Sequence, residues 1–132
     1  MAIDRIADAK ALLGAKRWSA AYYLAGYSVE CGLKSCVLVR IGTNAEIIFD
    51  DRRFSGKCWT HNLPPPEDLA DLKVRFESDC AADTALRDNW EIVKKWSESS
   101  RYDQTSKAEA EGLFDAITDK KHGMLAWIKR HW

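Results

Sequence analysis

The sequence has few of the residues that interrupt helices. Among 132 residues there are 3 prolines, together at 64–66, and 7 isolated glycines. No stretch alternates apolar and polar residues as a half-buried strand does, and no internal repeat or low-complexity segment is present. The composition, 46% apolar and 30% charged, is that of an ordinary globular protein. We therefore predict a single all-α domain over residues 1–132.

The chain also lacks an excess of charge of either sign. Lys+Arg and Asp+Glu both total 20, so no global basic field is available to attract nucleic acid, and such binding would need a local patch. Residues 1–13 contain two aspartates and lack the continuous apolar core of a signal peptide. No segment is typical of a membrane span. These features predict a cytoplasmic protein that does not bind membranes.

Cysteine is present but does not form a metal motif. The four cysteines are Cys31, Cys36, Cys58 and Cys80, and in a cytoplasmic protein they are expected to be reduced, buried and structural. A metal site would have to combine Cys58, His61 and Cys80, but the single C-x-x-H lacks a second ligand pair at zinc-site spacing. The sequence therefore predicts neither a metal nor a cofactor.

The most informative stretch is a long apolar segment at residues 18–41. Up to Val39 its only charged residues are Glu30 and Lys34, and a helix that is apolar on nearly all sides is normally buried. At helical spacing two faces are distinct. One carries small residues that allow close approach of a neighbour: Ala21, Ala25, Ser28, Gly32 and Ser35. The other is a stripe formed by Tyr23, Tyr27, Glu30 and Lys34.

Apolar periodicity and capping signals predict four more helices. They cover 2–13, ended by Gly14; 66–76, a short helix; 83–96, with Asp83 as N-cap; and 105–132, capped by Thr105 or Ser106 and weakened modestly by Gly123. Residues 43–66, 78–82 and 97–105 are predicted as connections. The expected architecture is an up-and-down bundle of four main helices plus a short one, packed around the second helix.

Four segments resemble the HEPN family (higher eukaryotes and prokaryotes nucleotide-binding domains). They are the block A-x-Y-L-A-G-Y-S-V-E-C-G-L-K at 21–34, H-N-L at 61–63, the helix from Trp90 to Trp96, and S-R-Y at 100–102. The resemblance implies a helical bundle that is usually a homodimer. It also implies a minimal nucleotidyltransferase as a possible partner, often within a toxin–antitoxin pair.

The motif of the catalytically active HEPN members is missing here. Those members are metal-independent ribonucleases that share an R-x4–6-H motif. In this chain Arg53 lies too far before His61, His122 has no arginine at that distance, and Arg130 directly adjoins His131. Because such chemistry needs an imidazole and a guanidinium at one phosphate, we expect a ligand-binding or partner-binding protein with no catalytic residues.

The candidate binding site is the polar stripe of the central helix together with later loops. One interpretation pairs Glu30 with Arg101, so that Lys34 and the two tyrosines hold an anionic ligand. The alternative is an internal Glu30–Lys34 ion pair at i, i+4 that only fixes the helix. The full set of candidates is Tyr23, Tyr27, Glu30, Lys34, His61, Arg101 and Tyr102.

Several alternatives stay open at this point. His61 caps the short third helix or faces the ligand. The basic end of the chain, with Lys120, Lys121, Lys129 and Arg130 among aromatic residues, is either a nucleic-acid patch or a complement to helix dipoles. The leading prediction is a nucleotide-, RNA- or nucleotidyltransferase-binding domain that dimerises through an apolar helix face. The others are a ribonuclease toxin with a site rearranged around Arg101 and either His61 or His122, and an interaction module without a small ligand.

Overall fold

The computed structural model describes the backbone of residues 1–43 and 70–132 and the side chains of residues 1–36 and 74–132. All secondary structure in these ranges is helical, which confirms the all-α class. The elements are α1 (Ala2–Gly14), α2 (Trp18–Thr43), α3 (Ala70–Ala82), α4 (Thr84–Val93), a 3₁₀ helix (Glu98–Tyr102), α5 (Lys107–Thr118) and α6 (Met124–Lys129).

The second helix is the centre of the packing, as expected. It contacts α1, α5, α6 and the 3₁₀ helix. Its small residues allow two close approaches: the indole of Trp96 covers Gly26, and Ile128 packs on Gly32. Its burial is less complete than the composition predicts, because both stripe tyrosines and Lys34 are only half-buried.

Capping residues separate the next helices. The Oδ1 of Asp83 accepts a hydrogen bond from the Leu86 N–H at 3.1 Å, so Asp83 is the N-cap of α4, as predicted. The helix before it ends at Ala82, whereas the sequence predicted an end at Phe76 and a turn at 78–82. The part of that prediction at 66–69 lies outside the described residues. The error arose because residues 77–82 carry few apolar side chains, although Cys80 is buried.

Aromatic residues join α3, α4 and α6 in the core. The ring of Phe76 meets Trp90 and Trp127 edge-on, with centroids 5.6 and 5.0 Å away. The indole Nε1 of Trp127 donates to Asp79 Oδ2 at 2.9 Å. Edge-to-face pairs add about 0.5–1.5 kcal/mol each beyond their burial. Trp90 belongs to the core, since only 5% of it is exposed.

The prediction of one helix from 105 to 132 is wrong, because the chain turns between α5 and α6. Asp119 Oδ1 accepts from the backbone N–H groups of Lys121 and His122, at 2.9 and 2.7 Å. Such side-chain bonds offer the backbone an alternative to a helix. A Cβ on Gly123 would lie 2.5–2.7 Å from backbone atoms of Ile117 and Asp119, so this turn requires glycine.

Candidate functional site

The described residues form an open cleft of about 530 Å³ at the start of α2. Three segments build it: the α1–α2 turn, the first turn of α2, and the chain around the 3₁₀ helix. Its lining is Lys16, Arg17, Trp18, Ser19, Ala20, Tyr23, Arg101 and Thr105. Three of these side chains are cationic and two are large aromatics, and this lining includes no carboxylate. The cleft is therefore suited to an anionic ligand that also has a flat ring.

The charge at the start of α2 is the reverse of the usual arrangement. Helix N-termini carry a partial positive charge and free N–H groups, so acidic residues normally gather there. The first turn of α2 has no acidic residue, and Lys16 and Arg17 precede it. A bound anion would reduce the repulsion between these positive charges.

The loop before α5 is attached to the same turn. Ser19 Oγ accepts a hydrogen bond from the Thr105 N–H at 3.0 Å, and these two residues are 86 positions apart. The ammonium of Lys107 lies 5.9 Å from the ring centroid of Trp18. These contacts fix the wall of the cleft that carries Thr105.

Arg101 is held at the edge of the cleft by weak contacts. Its Nη2 lies 3.5 Å from Glu98 Oε1, and its guanidinium lies 4.9 Å from the ring centroid of Tyr102. Charge interaction with Tyr102, and to a smaller extent with Glu98 and Tyr23, raises the pKa of Arg101 above its usual value. About half of the side chain is exposed. The guanidinium is therefore charged and accessible to a phosphate or carboxylate.

Lys16 combines a place in the cleft with an unfavourable backbone conformation. Its φ is 60°, which makes it the one non-glycine residue with positive φ in the described chain. The bonds Lys16 N–H to Leu13 O and Arg17 N–H to Leu12 O, 3.1 and 2.9 Å, form a Schellman motif, in which this position usually holds glycine. The helix itself ends at Gly14, one residue beyond the predicted range 2–13, and the left-handed residue after it is Lys16 and not Gly14. A lysine here costs about 1 kcal/mol and supplies a cation to the cleft.

The structure divides the predicted stripe into two pairs. The rings of Tyr23 and Tyr27 are stacked, with centroids 6.1 Å apart, and Tyr23 also contacts Trp96 at 5.8 Å. Further along α2, Lys34 Nζ lies 2.6 Å from Glu30 Oε1. Only Tyr23 of these four lines the cleft. The internal ion pair, one of the two interpretations of Glu30, is confirmed.

The other interpretation, a Glu30–Arg101 pair, is wrong. Arg101 instead pairs with Glu98, three residues earlier in the 3₁₀ helix. The arginine still reaches the stripe, but at Tyr23. Tyr102 is 77% exposed beside Arg101 and does not line the cleft. His61 lies outside the described residues, so its predicted role stays a prediction.

A second candidate group, around His122, lies apart from the cleft. The Nδ1 of His122 is 2.7 Å from Asp83 Oδ2, at the start of α4, whereas the 3₁₀ helix with Arg101 follows the end of α4. The backbone oxygen of His122 accepts from Asn89 Nδ2 at 2.8 Å. The structure therefore does not bring His122 and Arg101 together in the cleft.

The cysteines behave as core residues where their side chains are described. Cys36 and Cys80 are buried and Cys31 is half-buried, while Cys58 is outside the described part. Burial raises the pKa of Cys36 to about 11. Within residues 1–36 and 74–132 no three metal-ligating side chains come together. Among the helices described, none has the length and hydropathy needed to cross a membrane.

Sequence reasoning found two of the cleft residues, Tyr23 and Arg101, and missed the α1–α2 turn. The available signal was the pair Lys16-Arg17 directly before a helix without an acidic first turn. Ser19 and Thr105 carried no signal, because their proximity depends on the tertiary fold. Comparisons with protein-family models, with curated proteins and with solved structures find no match for this chain.

Proposed function

We propose that this chain is a HEPN-like helical domain that binds a nucleotide or RNA through a phosphate group in the cleft at the start of α2. The observation that carries the proposal is the meeting of three cations, Lys16, Arg17 and Arg101, in one cleft beside a helix N-terminus. The sequence segments at 21–34 and 100–102, which resemble the HEPN family, contribute residues to this same cleft.

The arrangement supports a specific mode of binding. The guanidiniums of Arg17 and Arg101 suit two oxygens of one phosphate, because each guanidinium donates in a fixed fork. The N–H groups of the first turn of α2 lie at the positive end of the helix dipole, which also favours a bound phosphate. The rings of Trp18 and Tyr23 offer apolar faces for a base. We propose binding without catalysis, because the R-x4–6-H motif is absent from the sequence.

Two further parts of the proposal rest on the sequence resemblance. They are assembly as a homodimer through an apolar helix face, and a minimal nucleotidyltransferase as a partner. The exposed side chain of Tyr102, next to the cleft, would be accessible to such a partner.

The test is a binding titration that follows tryptophan fluorescence, since Trp18 lies in the cleft. The probes are ATP, GTP and a short uridine oligonucleotide at low salt. We expect Arg101→Gln and Arg17→Gln each to weaken binding by roughly tenfold or more, as expected for a lost charged hydrogen bond. The control is Arg87→Gln, an exposed arginine of α4 outside the cleft.

Two results would overturn the proposal. If none of the probes binds, or if Arg101→Gln binds like the control, the cleft is not the site and the interaction module is favoured. If the protein cleaves structured RNA in the presence of EDTA and His122→Ala abolishes the cleavage, the ribonuclease alternative is correct.

A further inference from the structure

A second group of cations lies at the far end of the chain. Arg75 lies on α3, Lys120 and Lys121 lie in the turn before α6, and Lys129 and Arg130 lie at the end of α6. All five are exposed, and none has an ion pair among the described residues. We call these five residues the C-terminal basic surface.

The members of this surface are neighbours in space. Lys120 and Lys129 line one shallow groove between α5 and α6. Arg75 is next to Phe76, whose ring packs on Trp127 of α6. Burial lowers the pKa of His131 and the charges of Arg75 and Arg130 lower it further, whereas Asp79 raises it. Cations from three segments therefore converge around α6.

Three carboxylates near this surface help to hold the fold. Asp79 accepts from the indole of Trp127, Asp83 contacts His122 and caps α4, and Asp119 accepts from two backbone N–H groups. Elsewhere, cations pair with acids three or four residues away, as in Lys94–Glu91 and Lys107–Glu111. Within residues 1–36 and 74–132, by contrast, the five cations of the C-terminal basic surface have no ion-pair partner.

Helix dipoles explain only part of this pattern. Cations are favoured at helix C-termini, by about 0.3–1 kcal/mol each, and four of the five follow α5 or end α6. Arg75, however, lies inside α3 and not at its end. The surface also has an aromatic side chain: Trp132 is 39% exposed, and its ring lies near Gly32 of α2.

We propose that the C-terminal basic surface binds the phosphate backbone of single-stranded nucleic acid, with Trp132 stacking on a base. Several exposed cations without an ion pair among the described residues, followed in the chain by an exposed indole, match this ligand better than an acidic protein, because phosphates at regular spacing and flat bases occur together only in a nucleic acid. This site is separate from the cleft at the start of α2 and does not depend on the function proposed for it.

The experiment measures fluorescence anisotropy of a labelled uridine 12-mer at several KCl concentrations. The test variant is Lys120→Gln/Lys129→Gln/Arg130→Gln. The matched control is Lys10→Gln/Arg87→Gln/Lys95→Gln, which removes three exposed cations that also lack an ion pair among the described residues. Both variants change the net charge equally.

We expect the test variant to bind at least tenfold more weakly, and its slope of log K against log salt to fall by about 2, as expected for three lost phosphate contacts on a single strand. The control should change affinity by less than about twofold. Trp132→Ala should weaken binding by roughly fivefold or more through lost stacking.

Three results would overturn this inference: equal effects of test variant and control, no binding of the 12-mer, or equal competition by polyglutamate at the same charge concentration. The last result would indicate an acidic protein as the partner. Failure of the cleft proposal is distinguishable, because mononucleotide binding should be unchanged in the test variant and lost in Arg101→Gln.

Discussion

The indole of Trp96 occupies the space that a side chain on Gly26 would need. A Cβ built on Gly26 would clash with the Cγ, Cδ1 and Cδ2 atoms of the Trp96 ring, and both residues are buried. Trp96 also contacts Tyr23, which lines the cleft. This close approach therefore fixes the segment that leads from α4 to the 3₁₀ helix, and with it the position of Arg101.

Gly26→Ala should destabilise the protein by about 1–3 kcal/mol or more, because Trp96 must move and a packed core does not accommodate the added group. The matched control is Gly112→Ala in α5, where a Cβ meets nothing within 4 Å. That change should stabilise by about 0.5–1 kcal/mol, because alanine favours a helix interior. Urea denaturation measures both, and equal effects of the two would contradict the packing.

Lys16→Gly should raise stability and weaken ligand binding at the same time. Glycine relieves the strain of the positive φ, worth about 1 kcal/mol, and removes one cation from the cleft. Lys16→Ala separates the two effects, since it loses the same charge but keeps the strain. Thermal unfolding and the nucleotide titration together test this prediction. A Lys16→Gly variant that binds as well as the wild type would show that the lysine has no part in the site.

Lys34→Met should reduce the free energy of unfolding by about 1.5–3 kcal/mol, because the buried carboxylate of Glu30 loses a charged hydrogen bond. Nucleotide affinity should not change, since Lys34 does not line the cleft. Lys34→Arg should restore most of the stability. A loss of nucleotide affinity in Lys34→Met would instead favour a ligand site that includes the Glu30–Lys34 pair.

Asp83→Asn should change how stability depends on pH. The hydrogen bond with His122 is the main cause that lowers the pKa of Asp83. A carboxyl with a lowered folded-state pKa contributes stability above its unfolded pKa and loses it as pH falls through the folded pKa. Asparagine keeps the N-cap, so the variant should be less stable than the wild type at about pH 6, and the difference should vanish near about pH 2.

Urea unfolding at the two pH values gives the measurement for Asp83→Asn. The control is Asp88→Asn on α4, an exposed aspartate without an ion pair among the described residues. It should show little difference from the wild type at either pH. If Asp83→Asn is destabilised equally at both pH values, the charge of the Asp83 carboxylate does not contribute to the pH dependence of stability.

The all-α class, the long central helix and the Asp83 cap could be predicted because each depends on local signals: periodicity, proline position and capping chemistry. The turn at 119–123 could not be predicted from periodicity, since the apolar residues of α5 and α6 continue the same pattern through it. The sequence signal that favours a turn is Asp119 followed by Gly123. The side chain of Asp119 bonds to backbone N–H groups, and Gly123 has no Cβ.

Two parts of the candidate site were predicted, one on the central helix and one in the S-R-Y segment. Tyr23 was found because it lies on a recognisable stripe, and Arg101 because of the S-R-Y segment. The predicted partner of Arg101, Glu30, was wrong. Glu98 lies three residues before Arg101 in the 3₁₀ helix, whereas Glu30 is buried and distant in the sequence. The pair Lys16-Arg17 before α2 was a visible charge signal, but the place of Lys16 in the cleft depends on a left-handed backbone conformation that lysine does not favour.

The contact between Cys36 and Ile128 has a consequence for biosynthesis. The thiol of Cys36 lies 3.7 Å from the carbonyl oxygen of Ile128, 92 residues later in the chain. At about 5–20 residues per second, the ribosome needs roughly 5–20 s to make the segment that covers this part of α2. During that interval α1 can already pack on α2, but the part of α2 that contacts α6 stays uncovered. A chaperone that shelters emerging hydrophobic segments should therefore improve the yield of folded protein.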